Sequence, residues 1–190
     1  MPFTPFHFGF GVFVFALCPF VDLPAILVGT VIIDIEGILY LLFKIGREHG
    51  YTHSLLGVII YLIPTTFISW VIYKIYQSIT KKEFRFNWIL SGISSLLGLI
   101  SHVIFDGSLY PEMMIFYPFS QVRGHIYGIM SYQTIIVMLT MMFGVGAMIV
   151  MVKSILRVKL GRNLLISYNL FLPIELEKFV QNDTYPDSKI

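Results

Sequence analysis

Long apolar runs separated by short polar segments dominate the chain, and they predict helices embedded in a membrane. The runs cover residues 6–20, 25–43, 54–76, 88–105 and 126–152. A spanning helix needs about 20 apolar residues; the first run is shorter, and Asp34 and Glu36 interrupt the second. We therefore predict an all-α, polytopic membrane bundle of about five embedded helices, the first two short or broken. A long aromatic loop is predicted at residues 106–124.

Proline and acidic residues mark the breaks in the N-terminal third. Pro19 cannot continue the helix before it, and Pro24 suits the first turn of the next helix. Asp34 and Glu36 are costly if they face lipid, and Gly37 permits a break in the helix. The two carboxylates are therefore predicted to line a cavity rather than the lipid surface.

Composition supports a membrane protein and excludes several other classes. The chain is 56% hydrophobic and 13% charged, with a mean hydropathy of +0.80, whereas soluble domains carry about 25% charged residues. A net charge of +2 argues against nucleic-acid binding. Cys18 is the single cysteine, which excludes a disulfide framework or a cysteine metal site. We predict a membrane-embedded metal-site domain over residues 1–160 and a polar tail over 161–190.

Alternating the spans across the membrane separates the basic residues unevenly. Eight lie on one side: Lys74, Lys81, Lys82, Arg85, Lys153, Arg157, Lys159 and Arg162. Three lie on the other: Lys44, Arg47 and Arg123. By the positive-inside rule the first side is cytoplasmic. All five histidines fall on or near the second side, so a histidine cluster is predicted at the extracytoplasmic face of a multi-pass cell-membrane protein.

Spacing and residue type point to a metal site at this face. His49 and His53 are four residues apart, as are His102 and Asp106, and a helix places such pairs on one face. The candidate ligands are His7, Asp34, His49, His53, His102 and Asp106. Histidine and carboxylate ligands without thiolate suit zinc, with manganese and ferrous iron as alternatives. The set is large enough for one or two divalent ions.

Further residues near this face supply the other groups that a hydrolytic site needs. Glu36 and Glu48 are candidate general bases or additional ligands. Three further residues are candidates for binding the substrate: Arg47, Arg123 and His125. The planar guanidinium of an arginine can bind a phosphate through two hydrogen bonds. A bound metal acidifies its water ligand, and two metals stabilise both the attacking and the leaving oxygen.

The order of short motifs resembles the YdjM-like proteins, a family of membrane-bound, predicted metal-dependent hydrolases. The motifs are TPFHFG at residues 4–9, DIE at 34–36, GYTHS at 50–54, His102-x-x-x-Asp106, and YPFS at 117–120. The resemblance covers about residues 4–125. It implies a multi-helix membrane protein with a metal site at one end of its helix bundle. More remotely, the series from His7 to Asp106 is similar to the ligand order of zinc-dependent phospholipase C and P1-type nucleases, which implies phosphoester hydrolysis.

Two positions depart from the family pattern. The family has His-Arg-Gly before Thr-His-Ser, whereas this chain has Glu48, His49 and Gly50 there. Three alternatives stay open: His49 replaces the family ligand, Glu48 replaces it, or the second metal is lost. The second carboxylate of the Asp-x-Asp pattern is Glu36, which has a longer reach.

These observations predict an integral-membrane hydrolase that cleaves a lipid-type phosphoester by means of a metal-bound hydroxide, with membrane lipids as its partners. The lipid substrate follows from a site that opens at the bilayer surface beside an aromatic loop. One alternative is a transporter or channel that uses the His/Asp ion sites, although no inverted repeat is evident. A structural metal site with a closed ligand shell is another. A membrane metalloamidase would use similar ligands and is the third.

Overall fold

The computed structural model of the chain describes residues 4–44, 50–81 and 85–160. All regular structure in these segments is helical: α1 (Phe8–Leu17), α2 (Leu23–Gly29), α3 (Ile35–Phe43), α4 (Leu55–Thr80), α5 (Trp88–Leu109) and α6 (Tyr132–Leu160). Short 3-10 turns at Thr4–His7 and Ile32–Asp34 precede α1 and α3.

Four segments are long and apolar enough to cross a membrane: Leu23–Phe43, Leu55–Thr80, Trp88–Leu109 and Tyr132–Leu156. Pro5–Leu17 is a shorter apolar helix. The first spanning segment is divided by the turn Ile32–Asp34 into α2 and α3. The all-α bundle predicted from the sequence, with its first two helices short or broken, is therefore confirmed.

Helices α2, α4 and α5 pack together and form the centre of the bundle. Two glycines let α2 and α5 approach closely, because a Cβ on Gly29 would lie 2.7 Å from the Ser95 carbonyl oxygen and a Cβ on Gly98 would lie 2.5 Å from that of Ile26. The two helices run parallel, since Asp22 contacts Ser94 at one end and Thr30 contacts His102 at the other. Buried Ile33, Val58, Leu99 and Val103 fill the space between these helices.

Helices α1 and α6 form a second packed pair. A Cβ on Gly9 would collide with the Leu139 carbonyl oxygen, and a Cβ on Gly146 would lie 2.9 Å from the backbone of Phe13. At the far end of α1, Lys153 Nζ donates a hydrogen bond to the Ala16 carbonyl oxygen at 2.6 Å. Among the described helices, the first therefore packs mainly against the last. The 3-10 turn that carries His7 lies at the end of the bundle where α6 begins.

A buried polar group holds the start of α2 in place. The Asp22 carboxylate is buried, accepts a hydrogen bond from the Ala25 N–H at 3.1 Å, and accepts another from Ser69 Oγ of α4 at 3.2 Å. The Asp22 N–H donates to Ser94 Oγ of α5. The residue is thus an N-cap that also joins α2 to the two central helices.

Helix boundaries differ from the sequence prediction at two places. The predicted loop at 106–124 begins too early, because α5 continues through Asp106 and ends at Leu109, just before the dipeptide Tyr110-Pro111; a residue that precedes proline disfavours helix. The predicted start of the last span at residue 126 is also too early. Gly128 has φ of +80°, and Ser131 Oγ accepts from the Thr134 N–H as an N-cap would, so α6 begins at Tyr132. The predicted tail at 161–190 lies outside the described residues.

Candidate metal centre

Helix α5 supplies two of the central side chains. His102 and Asp106 are one turn apart on the buried face of α5, and the His102 Nε2 to Asp106 Oδ2 distance is 3.2 Å. The i, i+4 spacing that the sequence shows is thus realised on a helix. Both side chains are at most 4% exposed, so they face the bundle interior rather than lipid.

His53 reaches the same point from a turn and not from a helix. Residues 50–54 are non-helical, and α4 begins only at Leu55. The chain is held there by the Leu55 and Leu56 N–H groups, which donate to the Ile115 and Tyr117 carbonyl oxygens at 2.8 and 3.1 Å. The prediction that His53 shares a helical face with His49 is therefore wrong for His53, and His49 lies outside the described residues.

Asp34 and His7 come from the two 3-10 turns. Asp34 ends the turn Ile32–Asp34, which separates α2 from α3, and its side chain is buried. His7 ends the turn Thr4–His7 and is also buried. The break predicted near Gly37 is thus located slightly earlier in the chain, before α3, and it directs Asp34 into the bundle.

Four of these side chains converge closely enough to bind one ion. Asp34, His53, His102 and Asp106 each offer a ligand atom, and these atoms lie within 4.8 Å of one another. His102 Nε2 is 3.4 Å from Asp34 Oδ1, and His53 Nε2 is 3.7 Å from the same oxygen. Two carboxylates and two neutral imidazoles match the charge of a divalent cation and suit zinc, iron or manganese.

The protonation of His102 provides a test of whether a metal fits. Its Nδ1 lies 2.8 Å from the Thr30 carbonyl oxygen, and because a carbonyl only accepts, Nδ1 carries the proton. In a neutral ring Nε2 then presents a lone pair to two carboxylates. In the described part of the chain no hydrogen bond of acceptable geometry reaches His102 Nε2. A cation bound at this nitrogen would satisfy it, and Thr30 orients the ring as an outer-shell partner does.

His7 lies at the edge of this group. Its Nε2 is 3.2 Å from Asp106 Oδ1, the oxygen that does not face His102. Its ring centroid is 4.5 Å from that of His102. Asp106 thus faces the four-residue group with one oxygen and His7 with the other.

Glu36 approaches His53 from the opposite side of the imidazole. Glu36 Oε2 is 3.8 Å from His53 Nδ1 and accepts a hydrogen bond from Thr52 Oγ1. Burial alone would lower the pKa of His53, but the Asp34 and Glu36 carboxylates outweigh it and raise that pKa above its ordinary value. The Glu36 side chain is 21% exposed, against 4% for Asp34, so it lies on the open side of the cluster.

The remaining predicted site residues are not part of this group. His125 and Arg123 are exposed in the segment after α5, and the His125 ring contacts Phe116 at a centroid distance of 4.9 Å. Arg47, Glu48 and His49 lie outside the described residues. Sequence reasoning missed the Thr30 carbonyl, which no side-chain pattern reveals. It also missed Thr52, although that residue precedes His53 in the quoted motif.

A bundle of membrane-length helices around buried histidines and carboxylates defines a polytopic membrane protein with a candidate metal centre. The chain belongs to the YdjM inner membrane protein family, whose model matches residues 4–178. This confirms the resemblance inferred from the motifs and extends it beyond residue 125. Comparison with curated proteins and with solved structures gives no match.

Proposed function

We propose that this protein is a membrane-embedded metal-dependent hydrolase that cleaves a phosphoester in a lipid-type substrate. The observation that carries the proposal is the convergence of Asp34, His53, His102 and Asp106 within 4.8 Å, all buried. A divalent metal held by these residues would acidify a water ligand and neutralise charge on a phosphoryl oxygen. The remote similarity of the ligand order to zinc-dependent phospholipase C supports a phosphoester over an amide as the first substrate class to test.

The residues around the ligands take distinct roles in this proposal. The Thr30 carbonyl oxygen fixes the His102 ring so that Nε2 faces the ligand group. Glu36 occupies the equivalent position behind His53, where it contacts Nδ1 and not the nitrogen that faces Asp34. These contacts favour an orienting role for Glu36. Its partial exposure leaves it accessible to substrate, so the role of general base is kept as the alternative.

We also propose on which side of the membrane the site opens, a proposal supported by the position of the ligand group and the distribution of charge. The ligand group lies at the end of the bundle where α4 begins and α5 ends, opposite the connection between α4 and α5 that contains Lys81 and Arg85. If the more basic end is cytoplasmic, the proposed site opens on the extracytoplasmic side, where it meets the outer leaflet of that membrane.

The first experiment is elemental analysis of protein purified in detergent without chelators. We expect one or two equivalents of zinc, manganese or iron in the wild type, and loss of that metal in Asp106→Asn and His102→Gln. His125→Ala is the matched control, because this histidine lies at the same end of the bundle but outside the ligand group. Its metal content should equal that of the wild type.

Activity is then measured on mixed micelles of phospholipids and, separately, of an N-acyl lipid. The wild type should release product from the phosphoester, and Asp106→Asn should not. Wild-type protein without metal would refute the metal centre. Metal-loaded protein that cleaves only the amide would refute the phosphoester, and metal-loaded protein that cleaves neither substrate would refute the proposed hydrolase.

A further inference from the structure

Helix α3 is apolar except for a narrow polar stripe. Glu36 and Tyr40 are four residues apart, and Lys44, the capping residue that follows the helix, continues the same face. Lys44 Nζ lies 5.1 Å from the centroid of the Tyr40 ring, as in a cation–π pair. Apart from Gly37, the other side chains of the helix are apolar: Ile35, Ile38, Leu39, Leu41, Leu42 and Phe43. Tyrosine and lysine at the end of an apolar helix are typical of the membrane–water interface.

The end of α3 is not covered by the protein in the described part of the chain. Leu41, Leu42 and Phe43 are 64%, 65% and 63% exposed. The main contacts of α3 are with the 3-10 turn Ile32–Asp34 that precedes it, rather than with the long helices. Three neighbouring large apolar side chains exposed in this way are costly in water, and they indicate an apolar environment.

The position of α3 identifies that environment. The helix leaves the bundle directly after Asp34, at the level of the candidate metal centre. At the same end, the lipid-facing surface of α4 begins with Ile59 and Ile60, which are 62% and 53% exposed one turn after the helix starts. The apolar side chains of α3 are thus close to the edge of the surface that the spanning helices present to lipid.

We propose that α3 lies in the headgroup boundary of the leaflet on the metal-centre side, with phospholipid as its partner. Its apolar side chains contact the upper acyl chains, while Tyr40 and Lys44 face the headgroups, as aromatic and lysine side chains do at membrane interfaces. This location does not depend on the proposed activity. Its consequence, that a lipid substrate reaches the site laterally along α3, rests on the proposed function.

Depth-dependent fluorescence quenching tests the location. Cys18→Ser removes the native thiol, and a single cysteine at Leu42 is labelled with bimane and reconstituted in phosphatidylcholine–phosphatidylglycerol vesicles. Ile63→Cys, on the lipid-facing surface of α4, is the control for the bilayer interior, and Gln121→Cys is the control for the aqueous loop. Leu41→Cys is a second α3 variant in case the first does not fold.

Three quenchers separate the outcomes. We expect the α3 label to lose most fluorescence with lipids brominated near the headgroup, less with lipids brominated near the chain end, and little with aqueous iodide. Strongest quenching by chain-end bromine would show that α3 continues across the bilayer, and quenching by iodide alone would show that it projects into water. Either result overturns the proposal, and neither bears on whether the enzyme is active.

Discussion

The close approach of α2 to α5 makes a quantitative prediction about Gly98. An alanine Cβ at this position would lie 2.5 Å from the Ile26 carbonyl oxygen and 3.0 Å from the Gly29 backbone. Ordinary contact begins at 3.4 Å, and these neighbours are backbone atoms that cannot rotate aside. Gly98→Ala therefore forces α2 to move by up to about an ångström, and overpacking of this kind costs about 1–3 kcal/mol.

Gly92 provides a matched control on the same helix. A Cβ at Gly92 meets nothing within 4 Å, so Gly92→Ala gains the helix propensity of alanine, about 1 kcal/mol, without a clash. Because both variants share this gain, the difference in unfolding free energy between them isolates the overpacking cost. We expect Gly98→Ala to be the less stable by about 1–3 kcal/mol.

If the proposed metal is bound, the same displacement also reaches its site through Thr30. This residue follows α2 directly, and its carbonyl oxygen holds His102 Nδ1. Loss of an outer-shell contact weakens metal binding about 10–100-fold, so Gly98→Ala should raise the metal Kd while Gly92→Ala leaves it unchanged. Thermal unfolding in detergent and metal titration with a fluorescent indicator measure the two effects. Equal stability and equal affinity in both variants would refute the described packing of α2 on α5.

Two further predictions concern the carboxylates of Asp22 and Glu36. Asp22→Ala removes the N-cap contact to Ala25 and the contact to Ser69, and should lower the free energy of unfolding by about 1–2 kcal/mol. Asp22→Asn keeps an acceptor oxygen, so thermal unfolding should show a smaller loss of stability. Equal losses in the two variants would contradict the capping role. Glu36→Gln keeps an oxygen near His53 and should retain metal by elemental analysis. If Glu36 only orients His53, turnover is also retained, whereas retention of metal with loss of turnover would assign it as the general base.

The spanning helices are predictable from sequence because lipid requires long apolar runs, and these runs are visible in the order of residues. The juxtaposition of His102 with Asp106 is predictable for a similar reason, since helical spacing is local. The route of His53 into the cluster is not, because it depends on a turn held by the carbonyl oxygens of Ile115 and Tyr117, more than sixty positions away in the chain. Backbone contacts of this kind leave no pattern in side-chain type.

The helix ends show the same division between local and distant causes. Tyr110-Pro111 gives a local reason for α5 to stop at Leu109, and this signal alone predicts that Asp106 lies inside the helix. The Ser131 cap of α6 is likewise a local signal. The partnership of α1 with α6, by contrast, follows from complementary surfaces such as Gly9 against Leu139, and apolar composition alone gives no preference between possible partners.

That partnership has a consequence for how the protein is made. Of the helices that the structure describes, α1 is synthesised first and has its main partner in α6, which is synthesised last, and the contact between Ala16 and Lys153 joins positions 137 residues apart. During translation, Asp34 is synthesised before His53 and His102, the histidines that later surround it. A chain truncated before α6 would lack the helix against which α1 packs, and the close approaches at Gly9 and Gly146 could not form.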